Sequence, residues 1–166
     1  MRILIADDNP IFRTVLQRML ETWGYDVSVA SDGNEAWSLL QVESRPQMVI
    51  LDWVMPGMTG IEVCRRVRAS NHPAGYVFIL ILTAKTEWES LVVATEAGAD
   101  DYVSKPFKSS ELRARLRVGQ RMLDLEEQIV CRGRSYEGLA KPGADGAVQS
   151  LNRTNNQLQF IFTTQP

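Results

Sequence analysis

Met48-Val49-Ile50-Leu51-Asp52-Trp53-Val54-Met55-Pro56-Gly57-Met58-Thr59-Gly60 is the stretch that decides the fold. Its first four residues are apolar in succession, so the strand they form has no face to show to water. Such a strand belongs inside a parallel sheet covered on both sides. The run ends on a carboxylate, turns at Pro56-Gly57, and leads into Ile61, Val63, Cys64 and Val67 at helical spacing. The same order repeats outward in both directions. Upstream, Arg2 to Ala6 ends at Asp7-Asp8, and Asn9-Pro10 opens a helix carrying Phe12, Val15, Leu16, Met19 and Leu20 up to Gly24. Tyr25 to Ala30 follows, then Ser31-Asp32-Gly33 and a helix with Ala36, Leu39 and Leu40. Downstream, Val77 to Leu82 ends at Thr83, and a helix from about Thr86 to Ala97 breaks at Gly98. Asp101-Tyr102-Val103 is a short strand closed by Lys105-Pro106, and a last helix starts near Ser109, whose hydroxyl suits a cap. Five strands alternating with five helices predict an α/β fold with a doubly wound parallel sheet.

Composition narrows the function classes. The chain has 166 residues, 45% hydrophobic and 23% charged, about one domain's worth of an ordinary globular protein. Its formal net charge of −2 gives no overall basic field, so direct nucleic-acid binding is not expected. Cys64 and Cys131 are too few for a disulfide scaffold and fit a reducing cytoplasm. The single histidine, His72, cannot make a histidine-rich zinc site. The apolar start runs directly into Asp7-Asp8, unlike an export signal, and Val77 to Leu82 is too short to cross a bilayer. A cytoplasmic protein without membrane contact is the expectation.

In open α/β sheets ligands collect at the carboxyl ends of the strands. The residues there are Asp7, Asp8, Asp52, Thr83 and Lys105, each polar and each ending an apolar strand. Carboxylates ~5 Å apart at an effective dielectric near 20 repel by roughly 3 kcal/mol per pair. A hard divalent cation relieves that repulsion, and oxygen ligands suit Mg²⁺, with Mn²⁺ able to substitute. Lys105 supplies positive charge and Thr83 a hydroxyl donor. Together these are the parts that stabilise a phosphoryl group in transfer. The bland reading, in which strand-end aspartates only cap helices, would serve for one Asp but not for this set.

On these motifs the chain resembles the receiver domain of bacterial two-component response regulators, from Met1 to about Arg121. Asp7-Asp8 resembles the family's acidic pair and Ile50 to Gly60 its phosphoacceptor loop. Leu82-Thr83-Ala84 resembles its hydroxyl step, and Gly98 to Phe107 its closing motif. The resemblance implies a flavodoxin-like (βα)5 sheet with strand order 2-1-3-4-5. It implies that Asp52 accepts a phosphoryl group from a histidine kinase or phosphotransfer protein, with Mg²⁺ held by Asp7, Asp8, Asp52 and the carbonyl of Val54. Thr83 and Lys105 would bind the phosphoryl oxygens, and Thr83 and Tyr102 would form the switch. The Lys105–Pro106 bond would be cis. The output would be the face made by the fourth helix, fifth strand and fifth helix. Such a chain is a signalling phosphoacceptor that catalyses only its own phosphorylation and dephosphorylation. Trp53 is bulkier than the residue usual after the acceptor. Val54 and Lys85 hold the positions that tune attack by water. Asp101, Glu111 and Arg115 resemble the charged set that pairs receivers, with Leu91 where a basic partner would stand.

Two other chemistries are weighed. An aspartyl-phosphate phosphatase of the haloacid dehalogenase type needs Asp-x-Asp, and Asp52-Trp53-Val54 lacks the second acid. A flavin binder needs a hydroxyl-rich phosphate loop, where Asp7-Asp8-Asn9 would repel the phosphate.

The last helix extends past the receiver, with residues 122–130 as the extension. Leu112, Leu116, Gly119 and Leu123 form one seam, expected against the sheet. Val118, Met122, Leu125 and Ile129 form a second at 4-3-4 spacing, read either as an exposed amphipathic helix end or as a short coiled coil serving a homodimer. Glu111 to Gln128 also resembles the linker helix of diguanylate cyclase response regulators, so a receiver fragment of a larger regulator is the alternative. Residues 131–166 read as a flexible tail without an output domain, apart from the β-prone Leu158-Gln159-Phe160-Ile161-Phe162.

Overall fold

The computed structural model describes residues 1–70, 75–84 and 88–137. The elements are β1 (Arg2–Ala6), α1 (Pro10–Thr22), β2 (Asp26–Ala30), α2 (Gly33–Leu40), β3 (Met48–Asp52), α3 (Gly60–Ala69), β4 (Phe78–Thr83), α4 (Trp88–Glu96), β5 (Asp101–Ser104) and α5 (Ser109–Glu137). The five strands form one parallel sheet in the order β2-β1-β3-β4-β5, as expected. The order reverses between β1 and β3, where Asp7 follows β1 and Asp52 ends β3.

Helix starts follow local chemistry. The Asn9 side chain accepts from the backbone N–H of Ile11 and Phe12, and Pro10 occupies the first turn of α1. Asp32 caps α2. Thr59 and Glu62 form a reciprocal capping box at the start of α3. Alternating residues of the fully buried strands feed two core layers. Leu4, Val49, Leu51, Ile79 and Ile81 pack with α2 and α3 residues such as Leu40, Val63 and Cys64. Ile3, Ile5, Ile50, Phe78 and Leu80 pack with Leu16 and Leu20 of α1 and Leu112 and Leu116 of α5.

The first seam of α5 lies where expected. Leu112, Leu116 and Leu123 are buried. A Cβ built on Gly119 would stand 2.5 Å from a ring carbon of Phe78, so glycine is what lets the helix approach the sheet. Because Leu123 still belongs to this core, the first compact unit runs to Glu126 rather than stopping at 121. Residues 127–137 belong to the second unit and are helical. The helix therefore passes the expected end at 130 and continues to Glu137. Gly133 alone costs about 1 kcal/mol of helix propensity, which does not break a helix already running, and the next proline is Pro142. His72, Lys85 and the 158–162 run lie outside the described residues, as does the tail from 138.

Candidate functional site

The acidic rim assembles from three strand ends. Asp7 follows β1 and is buried, while Asp8 beside it is exposed. Asp52 ends β3 with its side chain 14% exposed. One carboxylate oxygen from each of the three lies within 4.8 Å of the others, a spacing that suits a single hard cation. Lys105, just beyond β5, reaches into the same place. Its Nζ lies 2.6 Å from Asp7 Oδ2 and 3.0 Å from Asp52 Oδ1.

The surrounding contacts hold these groups still. Asp7 Oδ1 accepts from Asn9 N at 2.9 Å, and the guanidinium of Arg13 donates to the Asp7 carbonyl. Asp52 Oδ1 also accepts from Trp53 N at 2.9 Å. That leaves Asp52 Oδ2 with no protein donor among the described residues. The ring of Phe12 lies 4.3 Å from Lys105 Nζ and supports the ammonium from below. A Cβ on Gly60 would fall 2.2 Å from the Asp52 carbonyl oxygen, so the loop after β3 can fold back on Asp52 only with glycine there.

Electrostatics follow from this geometry. Burial pushes the Asp52 pKa above its ordinary value, Lys105 pulls it back, and the Asp7 charge adds to the rise. For Lys105, burial works against the charged form, but hydrogen bonds to Asp7 and Asp52 outweigh it and its pKa is raised. The lysine is therefore charged and already placed between Asp7 and Asp52.

The other expected site residues are distributed as follows. Thr83 is buried at the end of β4, and its carbonyl accepts from Lys105 N at 2.7 Å. Tyr102 is half-buried on β5 and packs against the core layer on the α2–α3 side. By strand alternation Thr83 and Tyr102 lie on that same face of the sheet. Val54 stands in the turn after β3 with its side chain exposed. The Lys105–Pro106 bond is cis. Between β5 and α5, Arg115 Nη1 holds both carboxylate oxygens of Asp101, at 3.0 and 3.1 Å, within the chain. The sequence reading gave Asn9, Phe12 and Gly60 no part in the site. The Asn9-Pro10 pair advertised the cap, but nothing in the sequence places Phe12 under a lysine 93 positions away (105 − 12 = 93).

Comparison with known proteins agrees with this geometry. The family model described as the response regulator receiver domain matches residues 3–117. The DNA-binding response regulator MtrA of Mycolicibacterium smegmatis is 46% identical over 117 residues, 70% of this chain and 49% of that protein. The response regulator MprA of Mycolicibacterium vanbaalenii is 44% identical over 117 residues, 70% of this chain and 49% of that protein. This chain thus spans about half the length of the curated relatives it matches. Among solved structures, the Francisella response regulator 1452 receiver domain shares 30% identity at a TM-score of 0.67, covering 74% of this chain and 98% of that one. The receiver domain of the Pseudomonas aeruginosa sensor histidine kinase PA1611, solved with a magnesium ion coordinated in its active site cleft, shares 33% identity at 0.63, covering 72% and 94%.

These relatives correct one expectation. The absence of direct nucleic-acid contact was inferred from a net charge of −2, yet the MtrA proteins are DNA-binding regulators. The charge of a signalling domain carries no information about an output module, so that inference fails. No helix among the described residues is long and apolar enough to cross a membrane. With the acidic rim, the lysine bridge and the matched motifs in one place, the chain belongs to the response regulator receiver domain family.

Proposed function

We propose that the chain is a phosphoacceptor in which Asp52 takes a phosphoryl group from a histidine kinase or a phosphotransfer protein. The observation that carries this is the single lysine spanning Asp7 and Asp52 while Asp8 completes the acidic cluster. Asp7, Asp8 and Asp52, with the carbonyl of Val54, would hold Mg²⁺ or Mn²⁺. The bound cation would neutralise charge on the transferring phosphoryl oxygens.

The protein's own groups do the rest. Asp52 Oδ2, which has no protein donor among the described residues, is the oxygen that attacks phosphorus. The P–N bond to the donor imidazole breaks, and its electron pair returns to that nitrogen. Trp53 N and Lys105 hold Oδ1 and so fix the carboxylate plane. The ammonium of Lys105 and the hydroxyl of Thr83 take the phosphoryl oxygens. Movement of Thr83 towards them frees space for Tyr102 on the same sheet face, which links the rim to the α4-β5-α5 face for dimerisation or partner binding. Donor docking has a surface beside the rim: Ile11 and Val15 on α1 are 75% and 60% exposed. The activity is confined to the chain's own phosphorylation and dephosphorylation, in the cytoplasm.

A second reading concerns output. Similarity to the MtrA proteins favours control of DNA binding over the diguanylate cyclase alternative. Fluorescence anisotropy with labelled duplex DNA, with and without phosphorylation, tests that reading.

The phosphoacceptor assignment is tested by intact mass spectrometry after acetyl phosphate and Mg²⁺. A phosphoryl adduct is expected on the wild type and none on Asp52→Ala. An equal adduct on both would refute it.

A further inference from the structure

At the end of the sheet opposite the acidic rim, the turn from α1 into β2 and the amino-terminal half of α5 enclose a cleft of about 220 Å³, open to solvent. Trp23 and Tyr25 line it from one side, and Arg113, Arg117 and Gln120 from the other. All five belong to the compact unit that ends at Glu126. Arg113 and Arg117 stand four residues apart on α5, so they share one helix face. The Arg113 guanidinium lies over the Trp23 ring, 5.4 Å from its centroid, which holds that charge beside the cleft. Both arginine charges act on the half-buried Tyr25 hydroxyl, but burial outweighs them and its pKa is raised. The hydroxyl therefore stays a donor.

This set is out of balance. Like charges four apart on a helix repel. Among the described residues, neither arginine has a carboxylate within ion-pair distance. Among the same residues, the Tyr25 hydroxyl and the Gln120 side-chain amide have no hydrogen-bond partner. Two guanidiniums and a hydroxyl thus offer donors to one space, and the complement is an anion with several oxygens and about two charges. A guanidinium fork matches a phosphate through paired N–H···O bonds. The volume equals about seven waters at ~30 Å³ each, more than a bare phosphate ion fills. It is also less than the ~300 Å³ at which drug-sized pockets begin. A phosphate head with a short hydroxylated carbon body fits between these bounds.

We propose that this cleft binds the phosphate monoester of a small polyol, its dianion on Arg113 and Arg117 and its hydroxyls on Tyr25 and Gln120. The indole of Trp23 flanks the carbon body. The five residues of β1 separate this site from the rim, about 16 Å at ~3.3 Å per residue. The inference therefore does not depend on Asp52 being the phosphoacceptor.

The test is calorimetric titration of the full 166-residue chain with glycerol phosphate, in chelator so that the rim carries no cation. Saturable binding at millimolar ligand or below is expected, with the indole N–H resonance of Trp23 shifting in step. Arg113→Gln and Arg117→Gln should each weaken binding about tenfold or more, since a charge-assisted pair is lost. Arg117→Lys keeps the charge without the fork and should recover only part of that loss. Phosphoryl acceptance from acetyl phosphate and Mg²⁺ should be unchanged in Arg117→Gln, so the two sites are read separately. An unchanged Tm without ligand separates loss of the site from loss of the fold. No binding by the wild type at millimolar ester would overturn the proposal. So would equal binding by both glutamine variants, or succinate bound as tightly as the ester.

Discussion

At the amino-terminal edge of the sheet, Asp100 meets Arg68 at 2.6 Å and accepts Ile79 N at 2.7 Å and the Tyr76 hydroxyl. Arg68 also donates from Nε to the Gly98 carbonyl at 2.7 Å and from Nη1 to the Val77 carbonyl at 2.8 Å. One acid and one base satisfy each other there, and together they tie α3, β4 and the turn before β5. At the carboxyl-terminal edge three carboxylates cluster, and among the described residues one lysine bridges two of them. The same residue types thus lock one end of the sheet and leave the other charged and short of a cation. An edge that only stabilises can be neutral; one that binds a phosphoryl group and a metal must hold unspent charge in place.

The largest expected effect lies at the locked edge. Asp100→Ala leaves Arg68 without its carboxylate and strips Ile79 N and Tyr76 of their acceptor. The loss should be about 2–4 kcal/mol in urea denaturation, because a partly buried cation loses its partner. Phosphoryl acceptance at Asp52, in the folded fraction, should survive. A variant that stays as stable as the wild type would show that the two edges do not differ in this way.

Metal should act at the other edge alone. At tenfold excess over its Kd, Mg²⁺ should stabilise the wild type by about 1–2 kcal/mol, read as a rise in Tm. Asp8→Ala should lose that gain, and Asp100→Ala should keep it. A gain of equal size in Asp8→Ala would move the cation away from the cluster.

Most of the fold was legible because buried parallel strands have no polar face to confuse. Met48 to Leu51 could be nothing else once Asp52 and the Pro-Gly turn bounded it. The rim was legible because its members end strands, where topology gathers them. Long-range partnerships were not. Phe12 beneath Lys105 and Arg68 on Asp100 depend on how helices settle on the sheet, which periodicity does not encode. The end of α5 lies past the expected 130 because a tail composition does not stop a helix already running, and a lone Gly133 costs it too little.

The smallest effect tests the charge at Asp52 itself. Burial raises its pKa, with Lys105 pulling down and Asp7 pushing up. The folded state therefore binds this proton more tightly than the unfolded chain, whose Asp pKa is about 3.9. The associated stability is fully present below that value and is lost as pH rises through the folded pKa. Asp52→Asn keeps the shape and the acceptor for Trp53 N but removes the charge, so the metal-free variant should be more stable near neutral pH. The gain should stay below about 1 kcal/mol, because the attraction to Lys105 goes with the charge. Glu35 and Glu62, whose pKa values are lowered chiefly by hydrogen bonds from the backbone N–H of Ser31 and Thr59, slope the opposite way. They are common to both proteins and cancel in the difference. The raised pKa of Lys105 matters only where stability is lost at alkaline pH, above this window. Thermal melts in chelator from pH 4 to 7 should therefore show the difference growing as pH rises, and saturating Mg²⁺ should reverse its sign. A flat difference across that range would mean that the ionised Asp52 costs the fold nothing, and that the open edge is as well balanced as the locked one.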